Sequence, residues 1–295
     1  MDVSVIIVNY NTKELTRNCI DSVFAKTSGV TFEVILVDNA STDGSVELFE
    51  NDVRIRYIYS RVNLGFGKAN NLGYQSASGK YIFLLNSDTL LLNNAIKMFF
   101  DKMESVNPVV GCMGCLLQDS NRQYVHSYAE LPSVENMLGP LIWQPLFSFL
   151  GFKEWKMDAI ENRSANSSFF QVEYVTGADL FIRRSVIEAC GLFDPDFFMY
   201  YEDSELQSRY SKNGFLSYIY DAPEIVHLEG HSSKNGSSKR YLMIFNGMMR
   251  YMSKTQNGWK VFFLRILLLI KAPYTFRVWG FNWGNCKDYL RIVFS

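Results

Sequence analysis

Apolar runs and helix-period segments alternate along the first hundred residues of the chain. Val3–Tyr10 (VSVIIVNY), Glu33–Val37, Ile55–Tyr59 and Tyr81–Leu85 read as strands. After the first of them, Leu15, Cys19, Ile20, Val23 and Phe24 recur at helical spacing, with Thr12 as the expected N-cap. Tyr81–Leu85 (YIFLL) has no polar face, which is how a central strand covered by helices on both sides reads. The pattern therefore predicts an α/β protein organised around that strand. Polarity changes abruptly where these runs stop, at Asn9–Thr12, at Asp38–Ser45 and at Asn86–Thr89. Open α/β sheets place ligands outside the carboxyl ends of their strands, so Asp38 and Asp88 are candidate site residues. Each also has a plainer reading. Asp38 would accept hydrogen bonds from its own loop, and Asp88 would cap a helix expected from about Leu91. Asp43–Gly44 is a turn signal, with Thr42 or Asp43 capping a helix through Leu48 and Phe49.

The second half carries further signals. Phe193–Phe198 (FDPDFF) is turn-rich, and a helix is expected from Glu202 to about Asn213, stopped by Gly214. Glu202 and Asp203 fall in its first turn, where the helix dipole favours ionised carboxylates by about 0.3–1 kcal/mol. Ile225–Val226–His227 is strand-like, and two of the three histidines, His227 and His231, fall together. Gln118 to Gln171 is the least patterned stretch and holds Trp143, Phe147, Phe149, Phe152 and Trp155, read as a packed excursion or an acceptor surface.

Composition narrows the classes. The 295 residues are 48% hydrophobic with a net charge of -1, so there is substance for a large core and no electrostatic case for nucleic acid. No glycine lies between Val3 and Ser28, which argues against a dinucleotide-binding Rossmann turn. The Gly65-x-Gly67 ahead of Lys68 is a weak phosphate signal by itself. Five scattered cysteines suit a reducing compartment, and the Cys112/Cys115 pair sits in an apolar segment that reads as structural thiols. The chain opens directly on a strand, so the expectation is a cytoplasmic protein.

Seven strings in order carry a family resemblance: VSVIIVNYN, ILVDNASTDGS, NLGFGKANN, LLNSDT, VTGADLFIRR, GLFDPDFFMYYEDSEL and IVHLEGHS. Over roughly Val3 to Ser232 the chain resembles the family 2 glycosyltransferases of the GT-A fold, and most of all a bacterial rhamnosyltransferase branch that builds surface polysaccharides. The resemblance implies a Rossmann-like nucleotide-binding half with a mixed central sheet (1–117), an acceptor and catalytic-base half (118–240), and a C-terminal helical region (241–295). It implies a dTDP- or UDP-sugar donor, bound by Val8, Asn9, Tyr10, Asp38, Asn63, Lys68, Asn70, Asn86, Ser87 and Asp88. Asp88 and His227 would hold a divalent metal, Mn²⁺ or Mg²⁺; Asn86 stands where the family's first aspartate is usual. Gly177, Ala178 and Asp179 would shape the sugar and acceptor site. Asp203 would be the general base, with Glu202 beside it, in an inverting transfer to a saccharide or polyprenyl-diphosphate-linked acceptor. Lys234, Lys239 and Arg240 read as a lid over the diphosphate or as a solvated loop. Two other readings stand beside this one: a nucleotidyltransferase, which lacks its usual basic Gly-rich loop here, and a non-catalytic sugar-nucleotide-binding or scaffold subunit.

Trp259–Trp279 is apolar but interrupted by Arg265 and too short in its apolar run to span a bilayer. With Lys260, Lys271 and Arg277 among Trp, Phe and Leu, it reads as an interfacial helix on the inner face of the cytoplasmic membrane, or as a helix packed on the catalytic domain or in a dimer.

Overall fold

A computed structural model describes residues 1–137, 168–228 and 238–295. The aromatic stretch from Trp143 to Trp155, together with His231 and Lys234, lies outside the described residues. Strands β1 (Val3–Asn9), β2 (Phe32–Asn39), β3 (Arg56–Ser60) and β4 (Tyr81–Asn86) come first, and a short β5 (Thr89–Leu91) follows. Interleaved with them are α1 (Lys13–Lys26), α2 (Ser45–Phe49), α3 (Phe66–Tyr74) and α4 (Ala95–Ser105). The later strands are β6 (Val110–Gly114), β7 (Tyr128–Ala129), β8 (Phe169–Val172), β9 (Tyr174–Val175), β10 (Asp179–Arg183), β11 (Leu216–Tyr220) and β12 (Ile225–His227). Between and after them run α5 (Arg184–Cys190), α6 (Glu202–Lys212), α7 (Ser238–Thr255), α8 (Gly258–Val278) and α9 (Trp283–Phe294).

Eight strands form one sheet in the order β3-β2-β1-β4-β10-β6-β11-β8. The first four are parallel, and β10 is inserted antiparallel between β4 and β6. This mixed sheet agrees with the expected architecture. The uniform hydrophobicity of β4 follows from its place: Tyr81, Phe83 and Leu85 enter one core with α1 and α4, while Ile82 and Leu84 enter the other with α5 and α6. A third apolar cluster joins α7, α8 and α9 around Phe245, Met252, Leu264 and Tyr289. Helix α7 begins at Ser238, so it runs across the boundary expected at 240.

Three local expectations change. No helix starts at Leu91; Thr89–Leu91 pairs antiparallel with β12, and the helix begins at Ala95. A three-residue apolar run after a polar turn fits either period, and pairing with a strand over 130 residues away decides it. Thr12 occupies the N-cap position of α1 without a side-chain cap bond, because its hydroxyl is engaged with Asn9 and Ser87. The Asp43 carboxylate takes that role instead, accepting from the Lys13 N–H at 2.9 Å, and it also accepts from Ser45 at the start of α2. Asp38 lies within β2, one residue before its end, paired across the sheet with Asn9.

Candidate active site

The parallel strands β1, β2 and β4 end side by side, and polar residues occupy their last positions. Asn9 is buried and organises the first of these ends. Its amide donates to Asp38 at 3.0 Å and to the Ser41 hydroxyl at 3.1 Å, while its carbonyl oxygen accepts from the Thr12 and Thr16 hydroxyls, each at 2.9 Å. Asp38 also accepts from the Ser41 N–H at 2.8 Å, so the buried carboxylate is bonded from two sides. Tyr57 lies close by; burial and then the Asp38 charge push its phenol up. Val8 is half-buried, and Tyr10 projects into solvent beside them.

The neighbouring loop is built by glycine and asparagine. Asn63 accepts from the Gly65 N–H and from the Asn39 amide, at 2.9 and 3.0 Å. Gly65 adopts φ +81°, and a Cβ there would stand 2.1 Å from the Phe198 carbonyl oxygen. That carbonyl accepts from the Phe66 N–H at 2.9 Å, so the N-terminus of α3 is docked on the loop preceding the acid pair. Asn71 completes the docking with two bonds to the Phe193 backbone, at 2.7 and 3.1 Å. Asn70 is buried and donates to the Phe66 carbonyl. Lys68 is exposed; the Lys254 ammonium holds the Asp196 carboxyl below its ordinary range, and the Lys68 charge adds a little to this.

At the end of β4, Ser87 bonds Thr12 at 3.1 Å, tying the β4–β5 turn to the β1–α1 loop. Pairing of β5 with β12 sets Thr89 opposite His227, and the Leu228 N–H donates to the Asp88 carbonyl at 2.9 Å. As a result Asp88 Oδ1 and His227 Nε2 stand 3.2 Å apart, with the Asn86 amide nitrogen 3.4 Å from the same ring nitrogen. Two neighbouring ligands of one cation, each about 2.1–2.2 Å from it, are separated by about 3 Å at a right angle. The pair therefore fits a shared divalent ion. No cluster of three or more His, Cys, Asp or Glu side chains occurs among the described residues, so such an ion would draw its remaining ligands from elsewhere.

Two hydrogen bonds connect this turn to the acid pair. The Asn86 N–H donates to the Ala178 carbonyl at 2.9 Å, and the Gly177 N–H donates to Asp203 Oδ2 at 3.2 Å. The other Asp203 oxygen accepts from the Ser204 N–H at 2.8 Å. A buried Gln207, one turn further along α6, bonds both the N–H and the carbonyl of Val175 and so fixes the 174–177 segment under Asp203. Tyr200 and Tyr201, just before the helix, take left-handed φ values of 72° and 68°. Such conformations cost about 1–3 kcal/mol each and need surrounding structure to hold them. Helix α7 supplies part of it: a Cβ at Gly247 would lie 2.4 Å from the Tyr200 carbonyl oxygen.

Burial overrides the helix dipole at this turn. Glu202 is buried with one oxygen lacking a partner among the described residues. Burial, and next the charge of Asp203, raise its pKa to about 8. Asp203, half-buried, is also raised by burial, and the Ser204 and Gly177 N–H groups oppose the rise. A rise from 4.5 to about 8 corresponds to several kcal/mol, beyond the 0.3–1 kcal/mol of an exposed dipole contact.

Asp179 lies apart from the open site. It is fully buried on β10, accepts from the Cys115 N–H at 2.6 Å, and burial raises it to about 7. Cys112 and Cys115 are buried free thiols, Cys112 pushed up to about 12. Sequence reasoning passed over Asn71, Gln207 and Asn39. Gln207 does sit one helical turn from Asp203, the spacing of a supporting residue on the same face.

The model of the family described as "Glycosyl transferase family 2" matches residues 4–188. The N-acetylglucosaminyl-diphospho-decaprenol L-rhamnosyltransferase of Mycobacterium tuberculosis (strain ATCC 25618 / H37Rv) is 26% identical over 246 residues, covering 77% of this chain and 76% of that protein. Rhamnosyltransferase WbbL of Escherichia coli (strain K12) is 24% identical over 260 residues, covering 85% and 93%. Among solved structures, mannosyltransferase PcManGT from Pyrobaculum calidifontis, in complex with GDP-Man and Mn²⁺, aligns with a TM-score of 0.56 at 16% identity, over 85% of this chain and 63% of that one. GalNAc-T7 with UDP, GalNAc and Mn²⁺ aligns at 0.59 and 16%, over 86% and 48%. This chain thus spans less than two thirds of either solved chain, and the likeness to them is one of fold. Together with the strand ends described above, the match over most of the sheet identifies the chain as a member of glycosyl transferase family 2, a glycosyltransferase with the GT-A fold.

Proposed function

We propose that the protein transfers a sugar with inversion, from a nucleoside diphosphate donor to a hydroxyl of a lipid-linked saccharide, on the cytoplasmic side of a membrane. The observation that carries the reading is the approach of Asp88, Asn86 and His227 beside the ends of β1 and β2. Asp38, Asn9 and the backbone of Val8–Tyr10 would hold a pyrimidine base, and a carboxylate acceptor selects uracil or thymine through their N3–H. Asn63, Lys68, Asn70 and Ser87 would line the same donor site. A divalent cation held by Asp88 and His227 would neutralise charge on the leaving diphosphate.

Asp203 takes the proton of the acceptor hydroxyl, whose oxygen attacks the anomeric carbon as the bond to the diphosphate breaks. Burial raises both carboxyls, and Asp203 accepts backbone N–H bonds, from Ser204 and Gly177, that oppose the rise and favour its ionised form, which suits that carboxylate as the base. Gly177 and Ala178 position the base and the β4 turn on either side of the reacting centre, while Asp179, buried against the Cys115 N–H, supports the strand beneath them. The named relatives are rhamnosyltransferases, which favours dTDP-rhamnose as donor, with UDP-hexoses next, and a polyprenyl-diphosphate-linked acceptor.

Melting of wild type and Asp88→Ala with dTDP- and UDP-sugars, with and without Mn²⁺, tests the site. A ligand at one hundred times its dissociation constant stabilises by about 2.7 kcal/mol. One nucleotide class should give a metal-dependent shift that Asp88→Ala removes. Equal shifts in both proteins would place the donor elsewhere.

A further inference from the structure

Helix α8 carries large apolar residues on its exposed side as well as its buried one, a pattern that one packed interface cannot account for. Its buried side is Val261, Leu264, Leu268 and Ala272, which face α7 and α9. The opposite side bears Trp259, Phe262, Phe263, Ile266, Ile270 and Tyr274, all exposed, with Ile270 at 70%. Helix α9 adds Trp283 and Phe294, at 76% and 68% exposure. Scattered exposed apolar residues are ordinary on a protein surface; a continuous stripe of large ones on adjoining helices is not.

Charge distinguishes among the partners this face would take. Residues 258–295 contain six Lys or Arg and one acid, Asp288, whereas the chain as a whole is at -1. Lys260 and Lys271, about three helical turns apart, border one side of the exposed stripe and Arg265 the other. Lys260 also pairs with Glu135, and the Lys260 and Lys287 ammonium groups sit over the rings of Trp259 and Trp283, at 5.7 and 5.4 Å. Tryptophan beside lysine suits a boundary between headgroups and acyl chains. A second copy would set one basic face against another. An acidic lipid surface complements it. No helix among the described residues is long and apolar enough to cross a membrane.

We infer that the outer face of α8 and α9 lies flat in the surface of an anionic bilayer, with the aromatic stripe in the headgroup boundary and the flanking basic residues on the lipid phosphates. This assignment rests on the helices alone and stands apart from the donor chemistry proposed above. Its position matters to the site, because α7, which packs against α8 and α9, also holds the Tyr200 turn through Gly247 and the 194–196 turn through Lys254.

The test is flotation of the full chain with phosphatidylcholine vesicles, with and without phosphatidylglycerol, for wild type and for the surface variant Phe262→Ser/Ile270→Ser/Trp283→Ser. All three side chains are exposed, and an unchanged melting temperature verifies the fold. Wild type should float with the anionic vesicles about tenfold more than with neutral ones, less so at high salt, and the variant should lose at least that factor. Equal flotation with neutral vesicles, or flotation undiminished in the variant, overturns the assignment. So does a stable dimer in sedimentation velocity without vesicles that the same variant dissociates, since the face would then belong to a second copy. Donor binding in the melting assay is independent of each of these outcomes.

Discussion

At the first turn of α6, two adjacent carboxyls share a buried environment, and the difference between them has consequences with pH. Glu202 titrates near 8 in the folded chain against an ordinary 4.5. Below pH 4.5 folded and unfolded chains both hold that proton. Between 4.5 and 8 only the folded chain does, so this group's contribution to stability is lost as pH rises through that window. Glu202→Gln removes the loss. Its melting temperature should match wild type near about pH 4 and exceed it near about pH 9. Asp203→Asn should behave differently, lowering kcat/KM by about 10²–10⁴-fold while the chain stays folded. A variant that keeps wild-type turnover would remove Asp203 from the role of base. Of these neighbours, Asp203 and Glu202 were legible as an acid pair from their place in a family string. Their titration was not, because the dipole argument sees only the helix, whereas the Val175–Gly177 segment, held in place by Gln207, packs on the turn from outside it.

Among the elements, legibility followed how far each depends on distant parts of the chain. The β1, β2 and β4 runs are long and uniformly apolar, so their own residues specify buried strands. Thr89–Leu91 is a strand only because Ile225–His227 pairs with it, and that pairing also creates the Asp88–His227 approach. No local period encodes such a contact; the family strings alone pointed to it. The contact between α3 and the 193–198 loop was hidden in the same way. Gly65 reads as a turn residue, yet its φ of +81° and the closeness of the Phe198 carbonyl make it a junction between the two halves of the site. Gly65→Ala should cost about 1–3 kcal/mol for the backbone conformation, with the clash adding to it. Measured by melting temperature and turnover, the variant should lose activity beyond its loss of folded protein, because the displaced loop leads into Tyr200 and Tyr201.

For the whole molecule, the insertion of β10 between β4 and β6 has a consequence during synthesis on the ribosome. Residues 1–117 contain β1, β2, β3, β4 and β6, but β4 and β6 do not touch as neighbours in the sheet. Until Asp179–Arg183 has left the exit tunnel, β4 has an unpaired edge made of an unbroken apolar run, and β6 has no partner on either side. Open apolar edges are templates for aggregation. A fragment ending at residue 117 should therefore be insoluble or chaperone-bound when expressed alone, whereas one that extends past β11 should be recovered soluble, as fractionation of the two lysates would report. Nascent chains stalled between these lengths would hold a half-finished sheet, and the slow step of folding would be the threading of one late strand into its centre.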